Sequence, residues 1–279
     1  MISLRAQIAN SAVAFAATLF VASSAIAGGG PAGPAETDTA GVFDPANDAF
    51  FVTNTNAEGP AAASASFGPD DSEPIPGDFD GSGTDTIGVY SPSAGIFFLN
   101  NSIAPGNADL SIRFGPTGST LTGLVGDWDG DGVDSPGLYT AAAGVFFLRN
   151  TLTPGDAEIT TRFGPREATL TPLVGAWSGG AADGIGFYDS VSGTFFLVDD
   201  ATSPGVVNQF RYGPTEASLI PVVGDWNDDG TVTIGLYDPA GSTFFLRNSN
   251  DAGPADIEAF GFGAAGAGLL PISGNWDGS

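Results

Sequence analysis

Apolar residues in this 279-residue chain come in short runs, each closed by glycine, proline or acidic residues, and the pattern returns about every 49 residues. A glycine-led, mostly acidic stretch marks the beat at Gly77 (GDFDGSG), Gly126 (GDWDGDG), Gly175 (GAWSGGA), Gly224 (GDWNDDG) and Gly274 (GNWDGS). A Gly-x-aromatic step starts at Gly41, Gly88, Gly137, Gly186 and Gly235. Phe-Phe pairs open at Phe50, Phe97, Phe146, Phe195 and Phe244, and a [Phe/Tyr]-Gly step follows at Phe67, Phe114, Phe163, Tyr212 and Phe262. A fixed period of this length is the signature of a repeat architecture.

Each repeat holds four strand-like runs. In the second copy they cover Leu124–Trp128, Ser135–Tyr139, Gly144–Arg149 and Ala157–Phe163. The acidic stretch separates the first two, the small residues Thr140–Ala143 the next two, and Pro154-Gly155 the last two. With 42 Gly and 20 Pro spread along the chain, helices have no room beyond the N-terminus. Short, evenly spaced strands with turn signals predict an all-β fold.

The Phe-Phe pair narrows the architecture. Adjacent strand residues point to opposite faces, so Phe146 and Phe147 are both buried only if each small sheet lies between two others. A radial stack of four-stranded blades, the β-propeller, supplies that arrangement. The Gly of each Gly-x-aromatic step suits a crowded inner strand. Residues 36–43 (ETDTAGVF) match 83–90 (GTDTIGVY), the second half of an acidic loop, while residues 274–279 supply a first half. The expected fold is therefore a five-bladed propeller. Its last blade is composite, joining a strand at Leu270–Trp276 to three strands within residues 40–69. The alternative is a piece of a longer propeller.

The N-terminus differs from the rest. One arginine precedes an apolar stretch, Ala12–Val21, and Ala25-Ile-Ala27 fits a small-x-small cleavage rule. This predicts a secretory signal peptide over residues 1–27, a Gly/Pro/Ala linker over 28–36 and one propeller domain over 37–279. The alternative is a retained anchor. The apolar stretch is short for a membrane span and no second candidate follows. Secretion, without membrane insertion, is the expectation.

Charge and composition remove several function classes. The sequence has no Cys, His or Lys, so disulfides, Ser-His-Asp triads and zinc sites built on His or Cys are excluded. Without Arg5, six Arg face 32 acids, a net charge of −26. Nucleic acid and anionic membranes are poor partners for such a chain, and cations are good ones. Solubility alone also accounts for the charge. A monomer is the expected state.

The acidic loops have calcium-ligand spacing. Hard Ca²⁺ takes six to eight oxygens, which alternate side chains of a tight turn can supply. The second loop offers Asp127, Asp129 and Asp131, the Val133 carbonyl, and Asp134 or Ser135. The first offers Asp78, Asp80, Ser82, the Thr84 carbonyl and Asp85; the fourth offers Asp225, Asn227, Asp229 and the Thr231 carbonyl. Trp128 and its equivalents sit between ligands and are expected to point into the blade interface. Ala176, Ser178 and Gly180 replace the ligands in the third loop, which is expected to bind no metal. A split fifth loop joins Asn275, Asp277 and Ser279 to Asp38 and Thr39, where calcium would tie the chain ends together. Asp-Gly is also a common hairpin turn, so solvated turns are the plainer reading.

GDWDGDGVDSPGLY (126–139), GVFFLRN (144–150) and FGP (163–165) resemble the FG-GAP/VCBS-type propeller repeats of bacterial secreted proteins, related to the integrin alpha N-terminal propeller. The resemblance covers nearly all of the chain that follows the expected signal peptide. It implies calcium in the Asp-x-Asp-x-Asp-Gly loops and a role in adhesion or recognition. Five repeats are fewer than the seven blades usual in integrin-like domains.

No unique, non-repeated constellation stands out as an active site. The expected function is a secreted calcium-binding recognition module for an extracellular protein or glycan, without catalysis. A lectin is the alternative, and a carboxylate-based glycoside-acting enzyme a more distant one. Arg113, Arg162 and Arg211 recur before the [Phe/Tyr]-Gly step, and Arg149 and Arg247 follow Phe-Phe-Leu. They read as an anion-binding stripe for acidic glycans, or more plainly as ion-pair partners of blade acids such as Glu158.

Overall fold

The computed structural model describes residues 37–166, 169–215 and 218–278. The expected signal peptide, the linker and Ser279 lie outside the described residues. Strands β1 (Thr39–Asp44), β2 (Ala49–Val52) and β3 (Ala63–Ser66) come first. Blade one follows as β4 (Glu73–Pro74), β5 (Gly88–Ser91), β6 (Ile96–Leu99) and β7 (Leu110–Arg113). Blade two is β8 (Thr122–Gly126), β9 (Ser135–Thr140), β10 (Val145–Leu148) and β11 (Ile159–Arg162). Blade three is β12 (Thr171–Gly175), β13 (Gly184–Asp189), β14 (Thr194–Val198) and β15 (Asn208–Arg211). Blade four is β16 (Ile220–Gly224), β17 (Thr233–Asp238), β18 (Thr243–Leu246) and β19 (Phe260–Gly261), and β20 (Leu270–Gly274) is the last strand among the described residues.

Each blade is a four-stranded antiparallel sheet, and the fifth has the order β20-β1-β2-β3. Thr39 pairs with Gly274 and Phe43 with Leu270, so the ring closes through the expected composite blade. No helix among the described residues is long and apolar enough to cross a membrane.

The Phe-Phe step works as its strand geometry requires. The first ring of each pair is fully buried: Phe50, Phe97, Phe146, Phe195 and Phe244. It lies 4.6–4.8 Å, centroid to centroid, from the aromatic of the preceding strand. The second ring is half-buried and packs against the core of the blade before it. Phe147 joins the cluster around Tyr90 and Phe97, and Phe196 the cluster around Tyr139 and Phe146. Five inter-blade cores result, each shared by two sheets.

Two details of the expected layout change. The first strand of blade two ends at Gly126, not Trp128, because Asp127 turns its carboxylate back onto the amides of the following loop. The glycine of Gly-x-aromatic lies on the second strand, whereas the first strands approach one another across β8/β12, β12/β16 and β16/β20 and so lie nearest the axis. Crowding at Gly137 comes instead from Trp128 and Leu148, on which an added Cβ would press at 2.9 and 3.1 Å.

Glu73 breaks the repeat. It faces Tyr90 where Thr122, Thr171, Ile220 and Leu270 face the equivalent aromatics of the other blades. Its Oε2 accepts the Gly123 N–H of blade two at 2.8 Å. Burial pushes the Glu73 carboxyl up to about 8; the Gly123 bond opposes the rise and the Asp71 charge adds to it. The folded chain thus keeps a proton that the unfolded chain releases near its ordinary value of 4.5. This contribution to stability is full below about pH 4.5, falls as pH rises, and is lost above about pH 8. Urea midpoints should drop across that window, by on the order of a few kcal/mol in free energy. Glu73→Gln should flatten the slope; an unchanged slope would remove Glu73 as its source.

Candidate metal centre

Each acidic loop is built around its first residue. Asp127 is fully buried, and its Oδ1 accepts the N–H groups of Gly130 at 2.7 Å and Asp131 at 3.1 Å. Its Oδ2 accepts Gly132 N–H at 2.8 Å. Asp78 gathers the amides of Asp80, Gly81, Ser82 and Gly83 in the same way, and Asp225 those of Asn227, Asp228, Asp229 and Gly230. Such local side-chain to backbone bonds fold the chain into a tight turn. Positive φ at Gly130 and Gly132 lets the turn close.

The turn brings alternate side chains to one side. Ligating oxygens of Asp127, Asp129 and Asp131 lie within 4.8 Å of one another. Oxygens on opposite sides of a calcium ion stand about 5 Å apart, twice the Ca–O distance, so these three fit such an ion. Asp129 and Asp131 are exposed, and the Val133 amide donates to Asp131 Oδ1 at 3.0 Å. Burial pushes the Asp127 carboxyl up, the loop amides pull it down, and the Asp131 charge pushes it up again. A bound cation would relieve that like-charge repulsion.

The first and fourth loops share the turn but vary the side chains. Asp80 Oδ1 accepts Ser82 N–H, and Ser82 Oγ accepts Thr84 N–H. Asn227 Nδ2 donates to Asp229 Oδ2, and Asp229 Oδ1 accepts Thr231 N–H. Burial pushes Asp78 and Asp225 up as it does Asp127. In the third loop the turn is kept by backbone alone, with Gly179 N–H bonding Ala176 O at 3.1 Å. The split loop keeps the motif in part: Asn275 Oδ1 accepts Gly278 N–H at 3.0 Å, and Trp276 Nε1 reaches Thr39 O at 3.1 Å across the join. Its candidate ligand Ser279 lies outside the described residues.

Trp128, Trp177, Trp226 and Trp276 are buried in inter-blade cores, as is Phe79. The rings hold the loops to the blades, with Asp127 buried beside them and Asp129 and Asp131 exposed.

The eighth loop position behaves differently from the ligand spacing. Asp134 is buried, and its Oδ2 accepts Asp78 N–H of blade one at 3.0 Å while its own N–H donates to Asp78 O at 2.7 Å. Asp183 makes the same pair of bonds with Asp127, Asp38 with Asp225, and Asp85 with Asn275. The glycine before each first residue leaves space for the carboxylate: a Cβ on Gly77 would overlap Asp134. Burial, then the neighbouring Asp183 and Asp85 charges, pushes Asp134 well above the usual carboxylate range. The repeat spacing does not separate these aspartates from ligands. Their signal in the sequence is their distribution among the loops.

The arginines are mostly structural. Arg149 is buried and donates to Thr153 O, Asp156 O and Thr153 Oγ1, with Glu158 3.6 Å away. Arg247 repeats this with Asp251 O and Pro254 O, and pairs with Asp251 and Asp256. Arg113 and Arg162 are exposed and donate to the turn carbonyls of Ala94 and Ala143.

Fold and loops together define a five-bladed β-propeller of four-stranded blades with an acidic loop able to hold a metal ion. No protein-family model matches the chain, and no curated protein matches it.

The close approach at Gly77 gives a direct test. Gly77→Ala should cost about 1–3 kcal/mol by urea denaturation, as overpacking does. Gly59→Ala, with nothing within 4 Å of the added methyl, should cost under about 0.5 kcal/mol. Equal effects would show that Asp134 yields its place freely.

Proposed function

We propose that this chain is a secreted, calcium-binding recognition module for an extracellular protein or glycan, and that it does no catalysis. The convergence of Asp127, Asp129 and Asp131 carries the reading. Hard oxygen ligands in a tight turn suit calcium, and the ion offsets the repulsion among them. Loops one and four share the turn and are assigned weaker sites, because Ser82 and Asn227 replace carboxylates. The resemblance to FG-GAP/VCBS-type repeats and the signal-like N-terminus support export, where calcium is abundant. The lack of His, Cys and Lys supports binding over chemistry.

A ligand that binds only the folded state raises its melting temperature. For the purified chain, saturating calcium after EDTA treatment should add roughly 5–10 °C. Asp127→Ala/Asp129→Ala should remove much of that rise. No shift at millimolar calcium would reduce the loops to hairpin turns and defeat the reading.

Of the two kinds of partner, a glycan is favoured by a groove of about 630 Å³ at the seam of blades one and two. Arg113, Phe147 and Asp156 line it, an aromatic ring beside two charged groups. A glycan array distinguishes the two: a lectin gives hits competed by free sugar, and a protein-binding module gives none.

A further inference from the structure

The eighth-position aspartates are distributed in a way that ligand duty in their own loops does not explain. The third loop has no carboxylate at its three ligand positions, Ala176, Ser178 and Gly180, yet it keeps Asp183. The fourth loop keeps Asp225, Asn227 and Asp229, yet has Val232 at this position. A ligand would follow its own loop. These residues follow the loop of the preceding blade instead.

The hydrogen bonds give the reason. Asp183 holds the backbone of Asp127, the first ligand of loop two, and Asp134 that of Asp78 in loop one. Asp38 holds Asp225, and Asp85 holds Asn275. At the remaining seam Val232 meets Ala176, and only the backbone bond from Val232 N–H to Ala176 O at 3.1 Å survives. The side-chain bond is absent where the residue it would hold is no ligand.

We infer that Asp38, Asp85, Asp134 and Asp183 are positioning residues, each fixing the first metal ligand of the preceding blade's loop. The inference rests on the calcium reading of these loops. The carboxylate bonds the peptide N–H of the first ligand, from a buried site that water does not reach. The first residue's own side-chain oxygens are thereby left to gather the loop amides and face the ion. Residues that orient metal ligands from behind typically change metal affinity 10–100-fold when removed.

Terbium, a calcium substitute excited through a nearby tryptophan, reads the loops separately. One reporter chain keeps Trp128 and carries Trp177→Phe, Trp226→Phe and Trp276→Phe. The other adds Trp128→Phe and Phe79→Trp, which moves the signal to loop one. Phe79 shows that phenylalanine is accepted at this position. Asp134→Ala should weaken binding in loop one about tenfold and leave loop two within about twofold. Asp134→Asn, which keeps an acceptor oxygen, should restore loop one. Weakening confined to loop two would make Asp134 a ligand of its own loop and overturn the inference alone. Equal weakening of both loops, or none, would also overturn it. Failure of the parent chains to bind terbium or calcium would overturn the calcium reading as well.

A gain of function guards against misfolding of Asp134→Ala. A chain with Ala176→Asp, Ser178→Asp and Gly180→Asp restores three ligands to loop three. Adding Val232→Asp should tighten calcium binding there about tenfold in a calorimetric titration. Equal affinity with and without Val232→Asp would overturn the inference.

Discussion

Each blade carries apolar side chains on both faces, so a blade by itself leaves half its core in water. The two phenylalanines of every Phe-Phe step divide that surface between two neighbours. Burying an aromatic side chain contributes roughly 2–3 kcal/mol, and each seam buries several. The ring is thus the smallest unit in which every sheet is covered. No disulfide reinforces it, because the chain has no cysteine. Loops, buried tryptophans and inter-blade hydrogen bonds all take their positions from this mutual covering.

Polar contacts refine what the apolar faces assemble. Buried Asp134 and Asp183 are costly to hold as charges, and each is matched to a peptide N–H and C=O of the adjacent blade. Such a pair specifies register between blades, since sliding one sheet along another would leave a buried carboxylate unpaired. Glu73 does similar work at the other end of the first strand, once and not four times. The buried guanidinium groups of Arg149 and Arg247 hold the outer loops by bonding their carbonyls, which is why those loops need close-fitting glycines at Gly155 and Gly253.

Period, strand count and ring closure were legible in the sequence because a repeat states each feature five times. The Phe-Phe alternation led to sandwiched blades by strand geometry alone, and the matching of residues 36–43 with 83–90 led to the composite blade. Strand ends were less legible. Trp128 looks like a strand residue by hydropathy, but Asp127 captures the loop amides and ends β8 two residues earlier. Spacing grouped Asp85 and Asp134 with the loop carboxylates, while the structure turns both toward the preceding blade. A one-dimensional pattern records distance along the chain, whereas these two residues act across a seam. The contrast between Asp183 and Val232 was visible in the sequence and acquires meaning once the seams are known.

Ring closure joins residues about as far apart as the described residues allow, with Thr39 and Gly274 paired across 235 positions. During synthesis the first strands to emerge have no partner for their open edge until β20 is made. Contacts of such long sequence separation form late and make folding slow. A nascent chain of this design therefore stays incomplete until β20 is made, with the blades on either side of the gap each keeping one uncovered face. Until that strand is made, the open edge of β1 stays available for pairing with any other strand it meets.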